Sequence, residues 1–502
     1  IGGSGNDSFK GNSSNNTFNG GSVGVDTVDY TDNTSAIVVH MEGTTKTATS
    51  GTDTDTFVSI EKIIGSSHND TFFSDLNANN TFIGGAEDTS GADVLDYSTM
   101  IVASGSEANN YINLDLSVKT AIVKQNGIST ATDTFDQIEK FILTDGNDTI
   151  TGNSEASTFD GKAGSDTVKY DYLDSASVNG GKNYVKVDLS TDSATVYTSA
   201  NASTSDIDNY INIENIVGSK NNDIFIMKEA SIANTINGVN GTDTISYENY
   251  TNSVTVNLGA ANGINTVRTG DIDTILNIEN LIGGQAGDFL TGNSDSNIIN
   301  GGAGADTIFS STGIDTIDGG TSNTSGTNDV DEMNYSNRTS SITLTASSTT
   351  YTVAKSGDGG NQDTLTNIEV VQGTDFADVM SGDSAGSTSD TFKGGKGNDQ
   401  LSGGAGADTL YGENGDDTLK GGTGDDYLDG GNTDELNGDT VSYEDVTANK
   451  LVVTISSNAT ATATIGSEKD TLVEIENIKG SNYGSGSSTA GDGDIITGDS
   501  LK

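Results

Sequence analysis

The sequence predicts an all-β chain of short strands arranged as a tandem array, with almost no helix. Three observations carry that expectation. Residues 394–429 divide without a gap into four nine-residue blocks, GGKGNDQLS, GGAGADTLY, GENGDDTLK and GGTGDDYLD. None of the 502 residues is Pro, the residue that cannot donate to a strand ladder, so the chain reads as long uninterrupted pairing. Elsewhere Val, Ile, Thr and Tyr alternate with polar residues over short runs punctuated by Gly, Asn and Asp, and no 3.6-residue period of useful length occurs.

Two repeat lengths are superimposed. Weaker nines fill 283–318, 143–169 and 2–19. A longer unit begins with Asp, three residues and Tyr: Asp26 to Tyr30, Asp93 to Tyr97, Asp166 to Tyr170, Asp243 to Tyr247, Asp331 to Tyr335 and Asp439 to Tyr443. An alternating strand follows each, as at 184–189 (YVKVDL) or 253–258 (SVTVNL). The unit then closes on Asp, four residues and Ile-Glu, from Asp55, Asp133, Asp208, Asp273, Asp363 and Asp470. Spacing between successive Tyr residues lengthens along the chain, so the units differ in inserted loops and in the number of nines that follow. This divides the chain into nonapeptide turns at 1–19, continuing from upstream, and six modules at 20–83, 84–160, 161–237, 238–318 (with a nonapeptide run), 319–429 (with the best run) and 430–502. Both ends fall inside a repeat, as expected of a segment of a longer polypeptide.

Composition narrows the chemistry. Acidic residues number 73 against 22 Lys plus Arg, a formal charge of -51, and only 32% of residues are hydrophobic. A chain so acidic repels nucleic acid and anionic membranes, and its carboxylates repel each other unless cations lie between them. Low hydrophobicity with high charge would otherwise leave it disordered. Cys is absent, which excludes disulfides, thiolate zinc sites and Cys nucleophiles. No apolar run approaches the ~20 residues of a membrane span, so no membrane insertion is expected.

A strand of about three residues that must turn after every six needs residues tolerant of positive φ, which Gly at the first, second and fourth positions supplies. Gly also leaves carbonyl oxygens bare, and the Asp at position six adds a charged oxygen. Oxygen-rich sites of six to eight ligands suit calcium. One nonapeptide holds too few ligands, but turns on one side recur every second block, so block n and block n+2 can share an ion. The expected ligands are Asp7, Asp70, Asp148, Asp166, Asp243, Asp288, Asp306, Asp315, Asp378, Asp399, Asp408, Asp417, Asp426 and Asp439, with the turn glycines Gly395, Gly397, Gly404, Gly406, Gly415, Gly422 and Gly424. Without metal the same Asp and Asn side chains could serve only as hydrogen-bonded turns, and for the closing Asp-x4-Ile-Glu segments both readings stay open. Gly412-Glu413 and Ser310-Ser311 replace Gly-Gly pairs and Asn297 stands where Asp is expected, so those sites are expected to be weaker or empty. Leu401, Leu410, Leu419, Leu428, Ile308 and Ile317 should point inward as a ladder. The six Tyr residues read as packing or stacking aromatics at module edges, Glu61 and Glu139 as solvent-facing or loop-pairing acids, and Thr460, Thr462 and Thr464 as one face of a solvated strand.

These Gly and Asp positions, strongest at 394–429, resemble the hemolysin-type calcium-binding nonapeptides of the repeats-in-toxin (RTX) group. The resemblance implies a right-handed parallel β-roll with calcium ions stacked along its edges, export by one-step (type I) bacterial secretion, and folding outside the cell. The long modules resemble those of large secreted repeat proteins, surface-layer proteins and adhesins. Two G-x-S-x-G matches, at 20–24 and 382–386, would need a strand-to-helix turn and a partner His, yet only His40 and His68 exist. No His-Glu-x-x-His motif occurs, and Arg is found only at 268 and 338, which argues against metallopeptidase chemistry and phosphate recognition. The expectation is therefore a non-catalytic, calcium-stabilised structural protein outside the cell or on a bacterial surface, self-associating into a layer, filament or matrix, with a possible cell-surface or matrix partner. The alternatives are a stiff adhesin spacer and the repeat region of an exported enzyme.

Overall fold

The structure, a computed structural model, describes all residues except 87–90, 101, 103–104, 174–183, 198–205, 230–232, 269, 321–329, 348–349, 386–387, 432–435, 448, 458–459, 483–493 and 498–502. The final Gly of the 382–386 match and the start of the 458–465 alternation lie outside the described residues. The chain is all-β with parallel-dominated sheets. Its described helical residues are two short 3-10 turns, Glu107–Asn109 and Ala261–Gly263. No described helix is long and apolar enough to cross a membrane.

Two compact units form, one from Ile1–Thr244 with Asp271–Ile278, the other from Ile245–Gly270 with Glu279–Lys502. In the first, three-residue strands stack in parallel with matched centres: Val28 of Thr27–Asp29 on Ile63 of Lys62–Ile64, and Ile63 on Phe82 of Thr81–Ile83. The centre residue points inward and is fully buried, while its neighbours are half-buried. A three-residue strand suffices because its single inward side chain meets identical positions above and below. Phe141, Phe159 and Tyr210 stack in this way with ring centroids 6.2 and 6.5 Å apart.

In the second unit the nonapeptides obey an 18-residue register. Leu401 pairs with Leu419 across one sheet and Leu410 with Leu428 across the other, so block n rests on block n+2. All four Leu residues, with Ile308 and Ile317, are buried as the ladder the spacing predicts. Burying each contributes about 1.5–3 kcal/mol. Here the pairing runs past the strand into the turn, Gly404 pairing with Gly422 and Ala405 with Thr423.

The array is not parallel throughout. Where the sequence shows one alternating strand after the module Tyr, the structure shows three, folded back on each other as antiparallel neighbours. In the first unit these are Val38–His40 with Lys46–Ser50 and Asp53–Val58, Tyr111–Asp115 with Thr120–Gln125 and Ile128–Asp136, and Tyr184–Asp188 with Ser193–Tyr197 and Asp206–Ile211. In the second they are Ile342–Ser347 with Thr350–Lys355 and Gln362–Thr366, and Leu451–Ser457 with Thr460–Ile465 and Glu468–Val473. The outer strands of each triple rejoin the parallel ladder: Phe82 pairs with Phe135 on one side and Leu114 with Ile150 on the other. Two of the middle strands, KTATS and TATATI, alternate Thr with Ala and so show little apolar contrast. Their inward positions are nevertheless buried: Ala461, Ala463 and Ile465 face the core, and Thr460, Thr462 and Thr464 lie half-buried on the other face.

Candidate calcium-binding turns

The second and fourth turn glycines adopt the left-handed region. Gly395, Gly397, Gly404, Gly406, Gly415, Gly422 and Gly424 all have φ between 106° and 145°. The fold also forbids a side chain at these places: a Cβ on Gly422 would sit 1.9 Å from the Gly404 carbonyl oxygen, and one on Gly424 1.7 Å from that of Gly406. The bare carbonyls of one turn thus face the glycines of the turn 18 residues later. The first Gly of each block has a different cause from the one the spacing suggests, since Gly394, Gly403 and Gly421 are not left-handed. They make room for the aspartate, because a Cβ there would lie 2.1–2.3 Å from Oδ2 of Asp399, Asp408 or Asp426.

Every predicted aspartate takes part in a polar ladder running from turn to turn. In the best run the Asp378 amide donates to Asp399 Oδ1 (2.7 Å), Asp399 to Asp417 (2.7 Å), and Asp417 to Asp439 (2.7 Å). On the opposite edge Asp390 donates to Asp408 (2.8 Å) and Asp408 to Asp426 (2.9 Å). The same rung joins Asp148 to Asp166, Asp223 to Asp243, Asp288 to Asp306, and Asp70 to Asp93. At the start of the chain the Asp7 amide donates to Asp26 Oδ1, with Asp7 half-buried. Sequence reasoning missed Asp26, Asp93, Asp223, Asp331 and Asp390 as ladder members. The first two and Asp331 occupy the same Asp-x3-Tyr position as Asp166, Asp243 and Asp439, so the signal was present.

The ladder aspartates differ in what meets their second oxygen. Asp70, Asp148, Asp288 and Asp378 are saturated by protein donors: each accepts an amide at or beside the start of an earlier strand (Ile37, Ile112, Val254 or Ile342) and the amide four residues before itself (Ser66, Thr144, Gly284 or Thr374). By contrast, Oδ2 of Asp166, Asp399, Asp408 and Asp426 is buried with no hydrogen-bond partner. Burial pushes the carboxyls of Asp399 up to about 8, Asp166 to about 9 and Asp408 to about 6. A buried carboxylate oxygen without a donor is costly unless a cation meets it. Among the described residues no three acidic or His side chains converge, so a shell here must draw on main-chain carbonyls as well. The turn supplies those, and the residues present fit a hard, oxygen-seeking divalent cation. Asp399, Asp408, Asp426 and Asp166, with turn carbonyls, would hold it, and the ion would supply the positive charge that stacked carboxylates lack.

The closing segments of the modules give the second carboxylate oxygen a protein donor. The module Tyr is not an edge aromatic. Tyr30, Tyr97, Tyr170, Tyr335 and Tyr443 are buried, and their hydroxyls donate to Oδ2 of Asp55, Asp133, Asp208, Asp363 and Asp470 at 2.8–3.1 Å. Oδ1 of each Asp accepts the amide of the turn beneath: Asn16, Asn80, Ser157, Asp315 or Asp426. The Glu that follows is a loop-pairing acid: Oε2 of Glu61, Glu139, Glu214, Glu369 and Glu476 accepts the amide of Asp26, Asp93, Asp166, Asp331 and Asp439. At the Gly412-Glu413 departure, Glu413 takes φ 73° in place of Gly. No helix follows either G-x-S-x-G among the described residues, His40 stacks on Phe73 (4.6 Å), and His68 Nδ1 lies 3.4 Å from Ser67 Oγ.

The family model described as the RTX calcium-binding nonapeptide repeat (4 copies) matches residues 1–23, 142–170, 282–317, 384–419 and 411–439. No curated protein matches the chain. A crystal structure of the extracellular lipase LipA from Serratia marcescens is similar over 40% of this chain and 38% of that one, at 16% identity and a TM-score of 0.16. Repeats of this kind bind calcium ions and are typical of secreted proteins. The matched segments contain Asp166, Asp399, Asp408 and Asp426, so the turns with buried, partnerless carboxylate oxygens and the family signature coincide: these segments carry RTX calcium-binding nonapeptide repeats on a parallel β-roll.

Proposed function

We propose that this chain is a non-catalytic structural element of the extracellular space, whose folding is driven by calcium and whose modules form part of a surface layer, filament or matrix assembly. The observation that carries the reading is the use made of the acidic residues. The buried ladder carboxylates bind the next turn, through an amide on one oxygen, with a hydroxyl or an amide on the other or, in the nonapeptide run, an oxygen left for a cation. A chain with -51 formal charge that spends its buried acids on holding turn to turn is built for mechanical continuity rather than for turnover. Folding then waits for a calcium-rich medium, which suits a protein exported unfolded.

Electron microscopy of the native material with and without chelator tests the assembly. A regular lattice or filament that dissolves when calcium is removed supports the reading. Monomers at every saturating calcium concentration would turn it toward a spacer in an adhesin, and catalytic sequence in the same gene toward the repeat region of an exported enzyme.

A further inference from the structure

One turn of the array carries its own cation. The block at 310–318 (SSTGIDTID) has lost its Gly-Gly pair, and its Asp315 lies beneath Asp363, whose Oδ1 accepts the Asp315 amide at 3.1 Å. Into this turn reaches Lys355, the last residue of the middle strand Thr350–Lys355, with a fully buried side chain. Its Nζ lies 2.5 Å from Asp363 Oδ1, 3.1 Å from the Ser311 carbonyl oxygen and 3.5 Å from Asp315 Oδ2. Two carboxylates from stacked turns and a main-chain carbonyl are the donor set a calcium ion would take. The Tyr335 hydroxyl meets Asp363 Oδ2 (3.1 Å), the Ser311 hydroxyl also donates to Asp315 Oδ2 (2.9 Å), and the Asn297 amide donates to Asp315 Oδ1 (3.0 Å). Arg338, also buried, braces the same turn through Asp358 (2.8 Å) and the Ser310-Ser311 edge (3.5 Å).

The other modules act as internal controls. In four of the five triples the position opposite the first core residue is Lys355 (facing Ile342), Val123 (facing Ile112), Val196 (facing Val185) and Ile465 (facing Leu451). Beneath the closing Asp of those modules lie Asn80, Ser157 and Asp426. Where the residue beneath is neutral, the position is an apolar Val. Where it is Asp315, the position is Lys355. Where it is Asp426, the position is Ile465, and Asp426 Oδ2 is left buried without a partner. We infer that the Lys355 ammonium takes the place of calcium at the Asp315–Asp363 turn, and that the matching Asp426–Asp470 turn depends on the metal. A buried Lys among carboxylates is tolerated only with such partners.

The test uses the full chain saturated with calcium, then dialysed, with calcium per chain measured by atomic emission and unfolding followed thermally. Asp315→Asn should leave the calcium content unchanged, and Asp426→Asn should lower it by at least one ion. Lys355→Met should lower the unfolding midpoint by on the order of 5 °C, by stranding two buried carboxylates. The Lys355→Met/Asp315→Asn double variant should recover at least half of that loss. Calcium released by Asp315→Asn, or a Lys355→Met midpoint equal to that of the parent chain, overturns the assignment. If Asp426→Asn keeps the full calcium content, it is the calcium reading of the repeats that fails, and the two midpoints still decide the role of Lys355.

Discussion

The nonapeptide run at 394–429 and the closing segments of the modules solve one electrostatic problem in two ways. Both stack turns through an aspartate whose Oδ1 accepts an amide from the turn beneath, as Asp417 does from Asp399 and Asp133 from Asn80. In the module the second oxygen receives a buried Tyr hydroxyl, whereas in the run Oδ2 of Asp399, Asp408 and Asp426 receives nothing from the protein. The difference shows how one repeat rule can make some turns conditional on a metal and others permanent. Regularity marks the conditional turns, since a site shared between identical loops needs identical loops. Irregular, longer modules can afford a dedicated side chain.

The largest expected effect tests whether the metal-dependent turns decide the folding of the rest. Chelation should abolish the β-sheet circular dichroism, and added calcium should restore it with a midpoint of roughly 10⁻⁴–10⁻³ M, as for other extracellular calcium modules. A sheet signal unchanged in excess chelator would mean that Tyr–Asp pairs and core burial alone hold the chain. Protons should substitute in part for the metal. Burial raises Asp399 to about 8 and Asp166 to about 9, and Asp208 and Asp470, under their Tyr hydroxyls, to about 7, all from an ordinary value of 3.8. A group raised in the folded state binds protons there that the unfolded chain releases, so metal-free stability should rise as pH falls from about 8 toward about 4. With calcium present the sign reverses, because protons compete for its ligands. Equal coil content in chelator at pH 8 and pH 5 would count against buried carboxylate charge as the barrier to folding.

A backbone variant probes the stacking itself. Gly422 has φ 117° and a Cβ there would meet the Gly404 carbonyl at 1.9 Å, so Gly422→Ala should cost about 3 kcal/mol or more in thermal or denaturant unfolding. Gly43, at φ 80° with open space around it, isolates the conformational part, and Gly43→Ala should cost only about 1–2 kcal/mol. Equal losses at the two sites would show that close approach of consecutive turns contributes little.

Much of this was legible in the sequence because the relevant periods are short and strict. The inward Leu401–Leu428 ladder, the left-handed Gly positions and the Asp rungs all follow from a nine-residue rule folded with an 18-residue register. What was not legible depends on partners far apart in the chain. Each Tyr meets its Asp across 25 to 38 residues, through inserts of variable length, so the two motifs looked independent although both recur in every module. The folding of each alternating region into an antiparallel triple depends on where the strands turn back on each other, which alternation alone does not mark. The first Gly of each block was assigned to backbone freedom when its cause is the volume of a carboxylate, which only packing reveals. The lysine that ends TYTVAK reads as a strand-end surface residue until the fold places it over Asp315 and Asp363.

The smallest expected effect gives the finest view of the two kinds of turn. Tyr30 donates to Asp55 Oδ2 at 2.8 Å in a buried site above the neutral Asn16, and Tyr30→Phe removes that donor while keeping the ring. Leaving a buried carboxylate oxygen unmet should cost about 1–3 kcal/mol. Calcium per chain at saturation should not change, because the hydroxyl and the Asn16 amide already serve both oxygens of Asp55. The two readouts together distinguish the turns: a variant at Asp408 should lose calcium, and Tyr30→Phe should lose only stability. A loss of bound calcium on Tyr30→Phe would place the Tyr–Asp pairs inside the metal shell and join the two regions into one kind of site.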